Sequence, residues 1–196
     1  MHWVSEILWR EFYRHIIYNF PKVSKNKPFL DYTDKMVWSD NRVFFEAWKK
    51  GRTGIPIVDA GIREMLSTGW MHNRTRMIVA MFLSKNLLID WRWGEEFFMN
   101  NLIDGDIASN NGGWQWSAST GTDAAPYFRI MNPMTQSERF DPEGKYIRTW
   151  IPELKNCPTK DIHLPSNPES YNYVTPIVDL KESRQNAIKA FEKLKN

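Results

Sequence analysis

Between Leu102 and Arg129 the chain reads LIDGDIASNNGGWQWSASTGTDAAPYFR, a mixture that no hydrophobic core requires. Two carboxylates (Asp104, Asp106), paired amides (Asn110, Asn111), a Gly112-Gly113 step and two tryptophans two apart (Trp114, Trp116) stand within this stretch. Together they supply stacking faces and fixed polar contacts, which is the chemistry of holding a flat heteroaromatic ligand. The Asp-x-Asp pair could also suggest a cation, but no further His, Cys or carboxylate clusters with it, so no metal is expected.

The rest of the composition bounds what such a site could serve. The 196 residues, 42% apolar and 14% aromatic, suffice for one domain with a sizeable core, and ten tryptophans exceed what that core needs. A net charge of +3 suits a polyanionic partner without proving one. Cys157 is the only cysteine, which excludes an internal disulfide, and neither a signal peptide nor an apolar run of membrane length is seen. An intracellular, cytoplasmic protein without a membrane partner is expected. The Asn73-Arg74-Thr75 sequon is then idle.

The elements that must position these residues read mostly as helix. Trp3, Ile7, Phe12 or Tyr13 and Ile17 recur at helical spacing up to about Asn19, and Pro21 closes that segment. Residues 22–41 read as a loop. A short helix runs from Phe44 to Lys50 and ends at Gly51; Pro56 leads another to Thr68 and Gly69. The spacing predicts a helix from about His72 to Leu88, with Met77, Ile78, Met81 and Phe82 on its core stripe. Another follows Asp90, an N-cap, and reaches about Ile103. No element is assigned across 104–131. Beyond Asn132 the chain reads as loop-rich, with a short helix at Lys145–Trp150 and an amphipathic helix from Asp179 to Lys195. No strand alternation and no repeat is found.

Four separated motifs then add up to a family. Trp3-x-x-Glu6-x-x-Trp9-Arg10-Glu11-Phe12, Gly54-Ile55-Pro56-Ile57-Val58-Asp59-Ala60, Gly69-Trp70-Met71-His72-Asn73-Arg74 and the 102–129 stretch closely resemble the flavin domain of the photolyase/cryptochrome family. The match is nearest its bacterial class I cyclobutane pyrimidine dimer branch. It is continuous from Trp3 to about Leu154 and looser in the tail, where Pro176-Ile177-Val178-Asp179 still fits. The resemblance implies an all-α, helical FAD-binding fold. Family members also carry an N-terminal α/β antenna domain and a Thr/Ser-rich FAD-phosphate loop that this sequence lacks. Residues 1–196 are therefore expected to be the C-terminal part of the flavin domain, truncated on its N-terminal side. They should hold FAD weakly or not at all on their own, and the second antenna chromophore of folate or deazaflavin type expected in the full-length protein should not bind here.

What the resemblance implies about chemistry is light-driven repair, in which a reduced flavin passes one electron to a cyclobutane pyrimidine dimer flipped out of DNA. Trp9 and Trp116 resemble the stacking walls of the dimer pocket, Glu6 and Asn73 its hydrogen-bonding groups, and Met77 packs against them. Asn110 corresponds to the position at flavin N5. Arg76 and Asp104 resemble a buried ion pair beside the ring system, Asp106 contacts its pyrimidine edge, and Trp3 and Arg10, with Glu6 and Asn73, match further flavin contacts. Trp114, Trp91 and Trp38 match an electron relay, with Trp114 nearest the flavin and Trp38 at the surface.

Arg74 and Arg129 match rim positions that hold DNA phosphates, beside Glu6 and Trp9, whereas Lys49, Lys50, Arg52, Lys145 and Arg148 read as solvated charges. The paired histidines of six-four photolyases are missing, which argues for the cyclobutane lesion. The implied partner is dimer-containing DNA, bound by a bacterial monomer. A cryptochrome-type photoreceptor without repair is the alternative, and a flavin-free helical module is a third; an absorption spectrum separates the last from the others.

Overall fold

The computed structural model describes residues 2–194, and no strand is present among them. Ser39 and Ile89 form one isolated parallel bridge. Nine α-helices are described: α1 (His2–Asn19), α2 (Arg42–Lys49), α3 (Pro56–Thr68), α4 (Asn73–Met81), α5 (Trp91–Asn101), α6 (Ile107–Ala118), α7 (Pro133–Phe140), α8 (Lys145–Trp150) and α9 (Leu180–Glu192). The all-α reading is borne out. The predicted end of the tail helix at Lys195 lies outside the described residues.

Local chemistry sets most boundaries. Pro56 opens α3, and Gly69 closes it in the left-handed region (φ 71°), where its amide returns to Met65 O at 2.8 Å. The Asp90 carboxylate caps α5 by accepting from Arg92 N at 3.1 Å, as expected, and Asp179 caps α9 through Glu182 N at 2.7 Å.

Five expectations need correction. Residues 22–41 contain two 3-10 turns, Pro21–Lys25 and Asp31–Lys35. The helix expected to run to Leu88 stops being α at Met81 and passes into a π turn, Phe82–Asn86. The 104–131 region, without an assigned element, contains α6, whose apolar residues do not form a stripe. The segment after Asn132 contains α7, started by Pro133 and capped by Asn132 Oδ1 on Met134 N at 2.9 Å. Arg148 is also not a simple solvated charge, since its guanidinium donates to Cys157 O at 2.8 Å and ties α8 to the following loop.

The main core joins α2, α3, α4, the π turn, α5 and α6 around Trp48, Ile62, Leu83, Trp91, Phe98 and Trp114. A satellite core under α8 packs Ile147, Ile151, Leu154, Ile162 and Tyr173 against Ala60 of α3. Both cores lean on Asp59 of α3, fully buried. Its carboxylate accepts from Thr53 N at 2.7 Å, Thr53 Oγ1 at 2.6 Å and Gly54 N at 3.0 Å, as well as from the Tyr173 hydroxyl. Desolvation raises its pKa, and these donors oppose that rise.

Two glycines permit the close helix contacts that frame the site. A Cβ on Gly112 of α6 would lie 2.1 Å from the Tyr13 ring of α1, and one on Gly94 of α5 would lie 2.1 Å from Trp114 of α6. The α6 backbone therefore sits tightly against both neighbours.

Candidate functional site

A cavity of about 570 Å³ opens between α1, α4, α5 and α6, within the range of ordinary ligand sites. Helix α1 contributes Glu6, Trp9, Arg10 and Tyr13, at relative positions i, i+3, i+4 and i+7, which is one helical face. Asn73, Arg76 and Met77 come from α4 on the same rule. The cap of α4 aims them: His72 Nδ1 accepts from Arg74 N at 3.1 Å, so the helix begins with Asn73 at the cavity.

Helix α6 supplies the opposite set. Asp106, Ser109, Asn110, Gly113, Trp116 and Ser117 all line the cavity, with Trp114 beside them. The Asp106 carboxylate is also the N-cap, accepting from Ser109 N at 2.9 Å and Ser109 Oγ at 2.7 Å. Partial burial disfavours its charge. The Ser109 donors, with Arg14 and Arg10 nearby, outweigh that and hold the carboxyl below its usual range. A negative side chain therefore sits fixed at the end of a helix that leads directly into the cavity.

Asn110 is held in one orientation by its amide nitrogen, which donates to Glu95 O at 2.9 Å. The amide oxygen is the atom left for a ligand. Asn111, next in sequence, turns inward and donates to Glu95 Oε1 at 2.8 Å and Val23 O at 3.1 Å. The paired amides thus divide their work: one faces the cavity and the other locks α6 to α5. Burial raises the pKa of Glu95, and the Asn111 amide works against the rise.

Arg76 and Asp104 do pair, through Arg76 Nη2 at 2.9 and 2.8 Å from the two carboxylate oxygens. The expectation of a buried pair is not met, because the Asp104 side chain is 47% exposed and Arg76 26%. The reason is local: Asp104 stands in the turn between α5 and α6, at the edge of the cavity. Arg76 is additionally fixed by Nε donating to Met71 O at 2.7 Å.

Eleven expected site residues thus line one cavity: Glu6, Trp9 and Arg10 on α1; Asn73, Arg76 and Met77 on α4; and Asp104, Asp106, Asn110, Trp114 and Trp116 in or before α6. Others lie elsewhere. Trp3 is 76% exposed on α1 and does not line the cavity. Arg129 is exposed, and Arg74 is stacked over the Phe140 ring at 4.7 Å. Trp91 is fully buried, while Trp38 is half-buried and meets Phe191 edge-on with centroids 6.2 Å apart. Trp114 packs against Phe98 at 4.9 Å and Trp48 at 6.1 Å, its indole Nε1 buried without a partner among the described residues.

The sequence reading missed Tyr13, Trp70, Phe98, Ser109 and Ser117 as lining residues. Tyr13 was within reach, one turn beyond Trp9 on the same face. Its burial raises the phenol pKa to about 12, so it stays neutral. Ser109 and Ser117 belong to the α6 stripe, which gave no signal while α6 itself was unassigned.

The sequence model for the FAD binding domain of DNA photolyase matches residues 3–193. The deoxyribodipyrimidine photo-lyase of Escherichia coli (strain K12) is 55% identical over 195 residues, covering 97% of this chain and 41% of that protein. Among solved structures, a bacterial class III photolyase from Agrobacterium tumefaciens superposes with a TM-score of 0.93 at 44% identity, over 99% of this chain and 42% of that one. A cryptochrome from Synechocystis sp. PCC6803 gives 0.87 at 39% identity, over 96% of this chain and 41% of that one. The chain spans about two-fifths of the length of these relatives.

Proposed function

Since the chain belongs to the family of the FAD binding domain of DNA photolyase, we propose that its cavity takes the flavin of FAD together with a cyclobutane pyrimidine dimer flipped out of DNA, for light-driven repair. The observation that carries this reading is the sharing of one cavity by two sets of residues. Arg76, Asp104, Asp106 and Asn110 fit the polar edge of a flavin ring, and Glu6, Trp9, Asn73, Met77 and Trp116 fit a pair of stacked pyrimidines.

Features of the cavity wall suit a flat, polar-edged ring. Gly113 lines the cavity with nothing within 4 Å of where a Cβ would stand, so a side chain there would take up cavity space. The Asn110 oxygen and the capped Asp106 carboxylate offer acceptors, and Arg10 and Arg76 offer donors. When bound and reduced, the flavin supplies one electron on blue-light excitation, which splits the dimer and then returns.

The chain's own residues do the positioning. Trp9, whose ring is held by Phe12 and Tyr13 at 5.5 and 5.9 Å, presents an indole face to a base removed from its stack. Trp116 presents the second face. Glu6 and Asn73 meet the Watson–Crick edges, and the apolar Met77 closes the space against water. Arg74 and Arg129 bind flanking phosphates, and the Phe140 ring keeps the Arg74 guanidinium in place. Trp114 would be the indole that supplies an electron to a bound, oxidised flavin, with Trp91 and Trp38 further along the relay.

The decisive experiment irradiates the protein at saturating reduced FAD with an oligonucleotide bearing one cyclobutane dimer, following recovery of pyrimidine absorbance. Recovery is expected. The similarity to a cryptochrome supports a second reading, a photoreceptor, for which photoreduction would occur without recovery.

A further inference from the structure

Lys85 takes no part in the site above, yet its side chain is fully buried on the π turn Phe82–Asn86. Its Nζ donates to Ser119 Oγ at 2.7 Å and to Tyr127 O at 3.5 Å, and lies 3.6 Å from the centroid of the Phe191 ring on α9. These facing groups are all uncharged, and no carboxylate pairs with the ammonium among the described residues. Burying a cation in this way is costly, and a methionine would fill the same space without the penalty. Packing alone therefore does not account for a lysine.

Its contacts lead toward the cavity. Ser119 closes α6 in the left-handed region (φ 60°), and its hydroxyl, while accepting from Lys85, donates to Ala125 O at 2.6 Å. Ala125 N then donates to Trp116 O at 3.2 Å. The ammonium is thus connected through Ser119 and Ala125 to the backbone of a cavity tryptophan. The same 119–129 segment, gripped again at Tyr127, ends in the exposed Arg129.

We propose that Lys85 is a positioning residue for the DNA-facing rim, holding the 119–129 segment against α6 and α9 so that Trp116 and Arg129 keep the geometry that binds a flipped dimer and its flanking phosphate. The DNA part of this statement rests on the cavity reading given under Proposed function. Lys85 itself touches neither cofactor nor substrate.

The test is Lys85→Met in the protein at saturating FAD, with Ser119→Ala as an independent cut of the same link. Loss of one buried hydrogen bond corresponds to roughly tenfold in an equilibrium. Amide exchange at Ala125 and Tyr127 should therefore quicken about tenfold, and KM for dimer-containing DNA should rise by about the same factor. Exchange in α3 and α8, FAD affinity and kcat at saturating DNA should stay as they were. Adding Ser119→Ala to Lys85→Met should quicken exchange at Ala125 further, because the Ser119 hydroxyl's own bond to Ala125 O outlasts the loss of the lysine, while exchange at Tyr127 should change little more. If Lys85→Met does not fold, Ser119→Ala alone decides. Unchanged segment exchange and KM, or a loss of protection spread over the whole fold, would overturn the proposal. A wild-type protein with no preference for dimer-containing DNA would instead overturn the cavity reading and the rim's purpose with it.

Discussion

Gly94 of α5 lies so close to Trp114 of α6 that a methyl group in place of its hydrogen would stand 2.1 Å from indole Cη2. Neither partner can give easily, because Trp114 is also packed by Phe98 and Trp48. Gly94→Ala should push Trp114 toward the cavity and cost about 2 kcal/mol of stability, as overpacked cores do. Denaturant unfolding measures the loss. Weaker FAD binding should accompany it, and a variant as stable as wild type with unchanged FAD affinity would show that the contact is slack.

Trp114→Phe separates the relay from repair. Its Nε1 has no partner among the described residues, so phenylalanine forfeits volume but no hydrogen bond, at a cost of about 1–2 kcal/mol. Phenylalanine is much harder to oxidise than indole. Photoreduction of oxidised flavin should be abolished, while repair with chemically reduced flavin persists. Trp91→Phe and Trp38→Phe should slow photoreduction less, and Asn110→Ala should impair both assays. Normal photoreduction by Trp114→Phe under steady blue light would remove it from the relay.

For the Arg76–Asp104 pair, exposure decides between stability and binding. A pair this open to water contributes little to folding, ~1 kcal/mol or less. Asp104→Asn should leave the melting temperature nearly unchanged yet weaken FAD binding several-fold in an equilibrium titration. A large fall in melting temperature would assign the pair to the scaffold instead.

Burial lowers the pKa of Lys85 from its ordinary 10.5 to about 7. Between those two values the unfolded chain holds a proton that the folded chain has released, so stability rises with pH across this window, by about 1.4 kcal/mol per unit at most. Below pH 7 both states are protonated and the slope vanishes. Chemical denaturation from pH 6 to 10 should show the rise in wild type and its loss in Lys85→Met. Parallel profiles for the two proteins would place the titration elsewhere.

The cavity was more legible in the sequence than the helices that build it. Glu6, Trp9 and Arg10, or Asn73, Arg76 and Met77, announce a face because polar and aromatic residues repeat at helical spacing within recognisable motifs. Helix α6 announced nothing: Gly112, Gly113, Asn110 and Asn111 are poor helix formers, and its sides meet a core, a neighbour helix and a ligand surface in turn, so no apolar stripe survives. Its formation rests on the Asp106 cap and on tertiary fit at Gly112. The π turn was equally hidden, since Phe82, Leu83 and Leu87 are apolar in either helical geometry and only the hydrogen-bond register differs. Exposure of Asp104 could not be read either, because spacing says who pairs and not how deeply.

The cavity stripe of α6, from Asp106 through Ser109, Asn110, Gly113 and Trp116 to Ser117, makes the length of this segment as consequential as its composition. Each residue added to a helix turns everything beyond it by about 100°. One insertion after Ser109 would put Gly112, Gln115 and Trp116 where Gly113, Trp116 and Ser117 now face the cavity, turn Asn110 off the stripe, and drive the Asn111 side chain into Tyr13 where Gly112 now stands. The loop between Leu154 and Pro168, which carries no cavity residue, has no such rotational phase to keep. Among functional proteins of this kind, chain length should therefore be invariant across α6 and free to drift in that loop.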